Sequence, residues 1–164
     1  PNAINPDQKK LMVEMVEKQG RLGRKNSKGF YDYPEKGKGS KSLWPGLSAL
    51  QPKQLDPDTL DIEELKQRFL VVQAVEAART VEDHVITDMR EADVGSILGF
   101  GFAPFTGGTL SYIDFMGTKK FVELCHKLEA KYGSRFTPPK LLEEMAAKGE
   151  TFYGKFPPKK LAAA

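Results

Sequence analysis

Cysteine is almost missing from this chain of 164 residues. Cys125 stands alone, so no internal disulfide can form, which fits a reducing compartment. Histidine is nearly as scarce: His84 and His126 are the only two, and no HxxxH or CxxC spacing exists to hold a metal. Cys125 and His126 are neighbours, and on a helix adjacent side chains point about 100° apart, so they cannot share an ion. A core cysteine, a surface histidine and no metal site are expected. No apolar run approaches the roughly 18 residues of a membrane span. Pro1 to Pro6 has neither the charged n-region nor the apolar h-region of a signal peptide. It also lacks an initiator methionine, so a processed chain or a piece of a longer one is expected. Charge of one sign is missing too. The 25 basic and 22 acidic residues leave +3, short of the lopsided balance of a dedicated nucleic-acid binder.

Several reactive patterns are also absent. There is no Gly-x-Ser-x-Gly elbow. Ser111 and Asp114 lie one helical turn apart without a histidine nearby in sequence, so Asp114 is expected to cap a helix or anchor a turn through backbone N–H groups. Gly99-Phe100-Gly101 contains a Gly-x-Gly, but it follows a helical pattern, whereas a dinucleotide fingerprint needs strand, turn, helix. Phe102 and Pro104 further oppose a phosphate cradle, which leaves a packing turn.

What the chain does have is a corner. Gly99 to Gly108 places four glycines, a proline and three phenylalanines in ten positions. Glycine permits close approach or positive φ, proline fixes φ, and phenylalanine supplies large buried area. The run reads as a rigid, aromatic-packed turn between two helices.

Around it the periodicity is helical. Residues 6–19 form one short helix, with Asp7 as N-cap, Gly20 after its end, and an apolar stripe of Leu11, Met12, Met15 and Val16. Residues 20–58 turn glycine- and proline-rich and basic, with an aromatic knot, Phe30, Tyr31 and Tyr33, that predicts a short strand or turn. Asp61 to Glu64 resembles a capping box opening a helix of about 22 residues. Its stripe is Ile62, Leu65, Phe69, Val72 and Glu76, widened by Leu70, Ala74, Ala77, Ala78 and Val81, and it should be a buried spine. Asp88 to Glu91 opens a second helix to about Leu98. Further helices are expected near 107–116, from Lys119 to Tyr132 (Phe121, Leu124, Cys125 and Leu128 on one face), and after Pro138-Pro139 with Leu141, Leu142 and Met145. The tail from Phe156 to Ala164 should fray. No strand alternation appears in 60–150, so the class is all-α.

The basic arm from Arg24 to Lys41, with Tyr31 and Tyr33 interleaved, has two readings: a solvated surface arm, or a site for nucleic acid or the phosphates of a nucleotide-like ligand such as acyl-CoA. A salt titration separates them.

Arg21-Leu22-Gly23-Arg24-Lys25-Asn26-Ser27-Lys28-Gly29-Phe30-Tyr31-Asp32-Tyr33 resembles the Gly-Arg-Lys-x-x-Lys-Gly-Phe-Tyr-x-Tyr segment that closes the first C-terminal domain of 3-hydroxyacyl-CoA dehydrogenases. Gly99 to Asp114 is similar to the Gly-x-Gly-Phe-Pro-Pro-Phe-x-Gly-Gly signature of the second such domain. That domain is found in multifunctional fatty-acid β-oxidation proteins, which also carry an enoyl-CoA hydratase domain. Glu91-Ala92-Asp93, Pro139-Lys140-Leu141-Leu142 and Gly149-Glu150-Thr151-Phe152-Tyr153 fit the same pattern. Ala103, Thr106 and Ser111 depart from it: proline is commoner at the first, basic residues at the other two. The resemblance spans roughly 8–153.

It implies a helical bundle of the 3-hydroxyacyl-CoA dehydrogenase C-terminal type, similar to that of 6-phosphogluconate dehydrogenase. The end of the first helical repeat would be 1–33, a linker 34–58, the second repeat 59–153 and a tail 154–164. The parent would oxidise (3S)-hydroxyacyl-CoA to 3-ketoacyl-CoA with NAD in the bacterial cytoplasm. In the family NAD binds a Rossmann domain whose His–Glu pair does the chemistry, helped by an asparagine at the start of the first repeat. This chain has no counterpart of these segments, so no catalytic, cofactor-binding or metal residue is assigned to it, and its substrate contacts stay open. Implied partners are its own NAD-binding domain and first repeat, acyl-CoA, and a second copy or a thiolase subunit. Without that neighbour, the 6–19 helix should expose an apolar patch around Leu11 and Met15, or have it covered by a crystal contact or a second copy. The alternatives are a helical binding module acting through the basic arm, and an independent interaction protein.

Overall fold

The computed structural model describes residues 6–35, 38–50 and 55–157. Lys36 and Gly37 of the basic arm, Pro52, and the tail beyond Pro157 lie outside the described residues. The chain divides into two compact units, Pro1–Leu60 and Asp61–Ala164. The described residues are mostly helical, with one two-stranded sheet. No described helix is long and apolar enough to cross a membrane.

The first unit opens with α1, Pro6–Val13, which continues through one π-helical turn, Glu14–Lys18. Asp7, expected as the N-cap, is the second residue of this helix. Pro6 takes the first position, where a missing N–H costs nothing. Gly20 ends the turn at φ +61. Met15 is buried and Leu11 half-buried, while Met12 and Val16 are exposed. The apolar patch thus lies one step around the helix from the expected Leu11 and Met15.

The glycine-rich segment that follows is organised by a cation. Arg21 is only 8% exposed. Its Nε donates to the Gly29 carbonyl at 2.7 Å, its guanidinium pairs with the Asp32 carboxylate, and it lies 4.2 Å over the Trp44 ring. The aromatic knot becomes β1, Tyr31–Asp32, antiparallel to β2, Ser42–Leu43, with Tyr31 opposite Leu43. One helical turn, α2, Leu47–Leu50, follows.

The second unit opens with α3, Ile62–Glu82, capped by Asp61, whose carboxylate accepts from the Glu64 N–H at 2.9 Å. The capping box is one-sided. Glu64 does not reach back but accepts from Lys131 Nζ at 2.5 Å and from the Tyr132 hydroxyl. Those partners hold its carboxyl below the usual range, Lys131 most strongly. The buried face of α3 is Val71, Ala74, Val75, Ala78 and Val81, so Ala74, Ala78 and Val81 of the expected stripe enter the core while its largest members do not. Ile62, Leu65 and Phe69 are 52%, 38% and 72% exposed. Small side chains let α5 and α7 approach α3 closely, so the core takes the small members of the stripe and leaves the largest outside.

α4, Met89–Phe100, starts at Asp88, which accepts from the Arg90 N–H at 3.0 Å, and runs two residues past the expected end. α5 is Thr109–Met116, and α6 is Thr118–Tyr132 with Phe121, Cys125 and Leu128 buried. After Pro138 and Pro139 comes α7, Lys140–Lys148, burying Leu142 and Met145, and then a last turn, α8, Phe152–Lys155. One cluster of buried apolar side chains joins α3 to α8. Each fully buried large member contributes about 1.5–3 kcal/mol.

Candidate functional site

The glycine–phenylalanine corner ends α4 when Gly101 turns left-handed at φ +76 and the Phe102 N–H donates to the Ser96 carbonyl at 3.0 Å. Phe102 is 2% exposed, and its ring meets Tyr112 edge-on at 6.2 Å; Tyr112 in turn meets Phe121 at 6.1 Å. The other two phenylalanines correct the sequence expectation. Phe100 and Phe105 are 62% and 88% exposed, so one aromatic side chain packs the turn while two face solvent.

The corner then folds back onto α4. Gly108 sits at φ +118, and a Cβ there would overlap the Cα, Cβ and Cγ of Asp93. This close approach lets Asp93, 3% exposed, cap α5 from a neighbouring helix. Its carboxylate accepts from the Leu110 N–H at 2.7 Å, the Ser111 N–H at 3.2 Å and the Ser111 hydroxyl at 2.5 Å. The Tyr153 hydroxyl donates to it as well, at 2.8 Å. Ser96 Oγ accepts from the Thr109 N–H at 3.3 Å. The free donors at the start of α5 are thus met by side chains of α4, with the helix dipole favouring the negative charge there.

Asp114 is the cap expected of it. From the last turn of α5 it accepts from the Phe152 and Tyr153 N–H groups at 2.8 and 3.1 Å, at the start of α8. Burial pushes its carboxyl up, the two N–H groups pull it partly back, and the Asp93 charge adds to the rise. Burial, and then the hydrogen bond to Asp93, push the Tyr153 phenol up to about 12.

Chemically the cluster is committed to the backbone. Ser111 and Asp114 do not meet: the serine faces Asp93 and the aspartate faces α8. No imidazole is bonded to either. His84 is exposed in the turn after α3, and His126 stands on α6 beside Glu129 and Glu143, at 3.4 and 3.6 Å. The Cys125 thiol is buried, and burial pushes it up to about 12, far from a reactive thiolate. Among the described residues no three His, Cys, Asp or Glu side chains gather to hold a metal. The corner does not fit a dinucleotide either, because it follows α4 rather than a strand and Phe102 fills it.

Hollows lie in both units. In the second, α3 and α4 flank a groove of about 390 Å³ whose lining includes Val72, Glu76, Ala77, Thr80, Gly95 and Phe100. Thr109 also lines it, and its buried hydroxyl has no partner among the described residues. In the first unit a hollow of about 480 Å³ lies beside Met12, Val16, Lys25, Tyr31 and Tyr33. One aromatic face of the basic arm, that of Tyr31, already carries a cation of its own chain, Lys41 at 4.6 Å.

The role of Asp93 is the feature the sequence reading missed. It was visible only as part of a matched tripeptide. The usable signal was Gly107-Gly108, fifteen residues on: a glycine pair directly before a helix with no Ser, Thr, Asp or Asn to cap it. No family model matches the chain.

Proposed function

We propose that this chain is the helical C-terminal portion of a 3-hydroxyacyl-CoA dehydrogenase of fatty-acid β-oxidation, and that it is a scaffold rather than the seat of the chemistry. One observation supports this reading above the others. Three motifs that carry the resemblance, Glu91-Ala92-Asp93, the Gly107-Gly108 pair and Thr151-Phe152-Tyr153, meet at the Asp93 carboxylate. Motifs far apart in sequence that converge on one lock have a shared physical reason to occur together.

In the parent, a histidine on a separate nucleotide-binding domain takes the hydroxyl proton of (3S)-hydroxyacyl-CoA as hydride passes to NAD. This chain would brace that domain and the first helical repeat beside the acyl-CoA cleft. A second copy or a thiolase subunit would be its other neighbour, in the bacterial cytoplasm.

The test is the coding sequence upstream of Pro1, followed by an assay of its product. A strand-borne Gly-x-Gly-x-x-Gly and a His–Glu pair are expected there. The longer protein should oxidise NADH with acetoacetyl-CoA, and the 164-residue chain should not. Turnover by the short chain, or an upstream frame without a nucleotide-binding pattern, contradicts the proposal.

A further inference from the structure

Among the described residues, one buried side-chain polar atom has no hydrogen-bond partner: the Thr109 hydroxyl. Buried polar groups are nearly always bonded, so the exception calls for a reason. Thr109 opens α5, is 0% exposed, and lines the groove between α3 and α4.

The other polar side chains of the groove set Thr109 apart. Gln73 Nε2 donates to the Phe69 carbonyl at 2.7 Å. The Thr80 hydroxyl donates to the Ala77 carbonyl at 2.7 Å, and the Ser96 hydroxyl to the Asp93 carbonyl at 2.8 Å. Glu76 pairs with Arg79. Each of these is engaged within the chain, which leaves Thr109 and, at the exposed rim, Glu91. The rest of the lining is largely apolar, with Val72, Ile86, Phe100 and the backbone of Gly95. A Cβ added at Gly95 would meet nothing within 4 Å, so the space beside it is open. Two carboxylates and no Lys, Arg or His line the groove, so its field favours a cation over an anion. Its volume of about 390 Å³ is at the small end of ligand sites.

We propose that this groove binds a small organic amine with an apolar body and a hydroxyl or carbonyl at its far end. The ammonium pairs with Glu91 and meets the face of the Phe100 ring, which is 62% exposed. The body covers Val72 and Ile86, and the far oxygen supplies the missing partner of Thr109. This chemistry is the reverse of acyl-CoA, whose phosphates the carboxylates repel, so the inference stands apart from the dehydrogenase reading. An empty groove would overturn it and leave that reading untouched, and turnover by the short chain would do the reverse.

Tyramine has this layout, an ammonium and a hydroxyl at opposite ends of an aromatic body. Titrating it into the isotope-labelled 164-residue chain, read by amide chemical shifts, tests the proposal. The amides of Gly95, Phe100 and Thr109 should shift and saturate, with a Kd on the order of 0.1–1 mM. Phenethylamine, which lacks the hydroxyl, should bind about tenfold more weakly. Hydroxyphenylpropanoate, with a carboxylate in place of the ammonium, should give no saturable shift. T109V removes the hydroxyl alone, so it should bring tyramine down to the level of phenethylamine and leave phenethylamine unchanged. G95L fills the open space and should abolish binding of both amines. Leucine is a better helix former than glycine, so the circular dichroism of G95L should match wild type. No saturable shift with tyramine, wild-type affinity in T109V, equal binding of the carboxylate, or binding that survives G95L overturns the proposal.

Discussion

In the first unit Met15 is the one large apolar side chain buried among the described residues, and the buried Arg21 ties the glycine-rich segment together through Gly29, Asp32 and Trp44. Among the described residues of the second unit sixteen buried apolar residues form a continuous core, and one deeply buried carboxylate, Asp93, fastens a corner onto it. Both units use a buried charge as a clasp. They differ in what remains if the clasp is removed: almost no apolar burial in the first, a whole core in the second. A buried charge is costly to orphan, so the contrast can be broken from either side.

The largest effect is expected at Gly108. Gly108→Ala combines a positive φ with overlap on the Asp93 backbone and side chain, and should cost more than about 4 kcal/mol in urea unfolding, or prevent folding. Next comes Arg21→Met, which leaves the Gly29 carbonyl and Asp32 without their donor. It should cost about 3 kcal/mol locally. Hydrogen exchange should lose protection across β1 and β2 while amides of α3 and α6 keep theirs; equal loss in both units would erase the contrast.

A smaller effect tests the clasp through pH. The Tyr153 phenol is raised from 10 to about 12, so its contribution to stability is complete below pH 10 and is lost as pH rises from 10 towards 12. Tyr153→Phe should flatten that alkaline limb relative to wild type and cost about 1 kcal/mol at neutral pH. The smallest effect is expected on the outward face. Phe69→Glu should change unfolding free energy by less than about 0.5 kcal/mol, because Phe69 is 72% exposed.

The helices of the second unit were legible because their punctuation is local. Asp61 and Asp88 cap where they were read to cap, Gly117 and Gly133 end α5 and α6, and Pro138-Pro139 precedes α7. The face of α3 was legible only in part: Ala74, Ala78 and Val81 belong to the expected stripe and are buried, but periodicity finds a stripe without saying what it packs on, so the exposed Ile62, Leu65 and Phe69 were grouped with them. β2 was missed because Ser42–Leu43 is too short to alternate. The glycines and proline of the corner mark it as a turn, yet the burial of its phenylalanines depends on where α5 lies, which is set by Asp93 reaching across from α4. That contact is a property of the assembled chain and leaves no periodic mark.

Asp93, Ser111 and Tyr153 together hold α4, α5 and α8 in place. Urea unfolding of Asp93→Ala, with Asp93→Asn alongside, tests it most directly. Asp93→Ala should lose about 3–5 kcal/mol because the Leu110 and Ser111 N–H groups and the Tyr153 hydroxyl are orphaned. Asp93→Asn, which keeps one acceptor oxygen, should lose distinctly less. An Asp93→Ala variant within about 0.5 kcal/mol of wild type would contradict the account and leave this carboxylate free for another purpose.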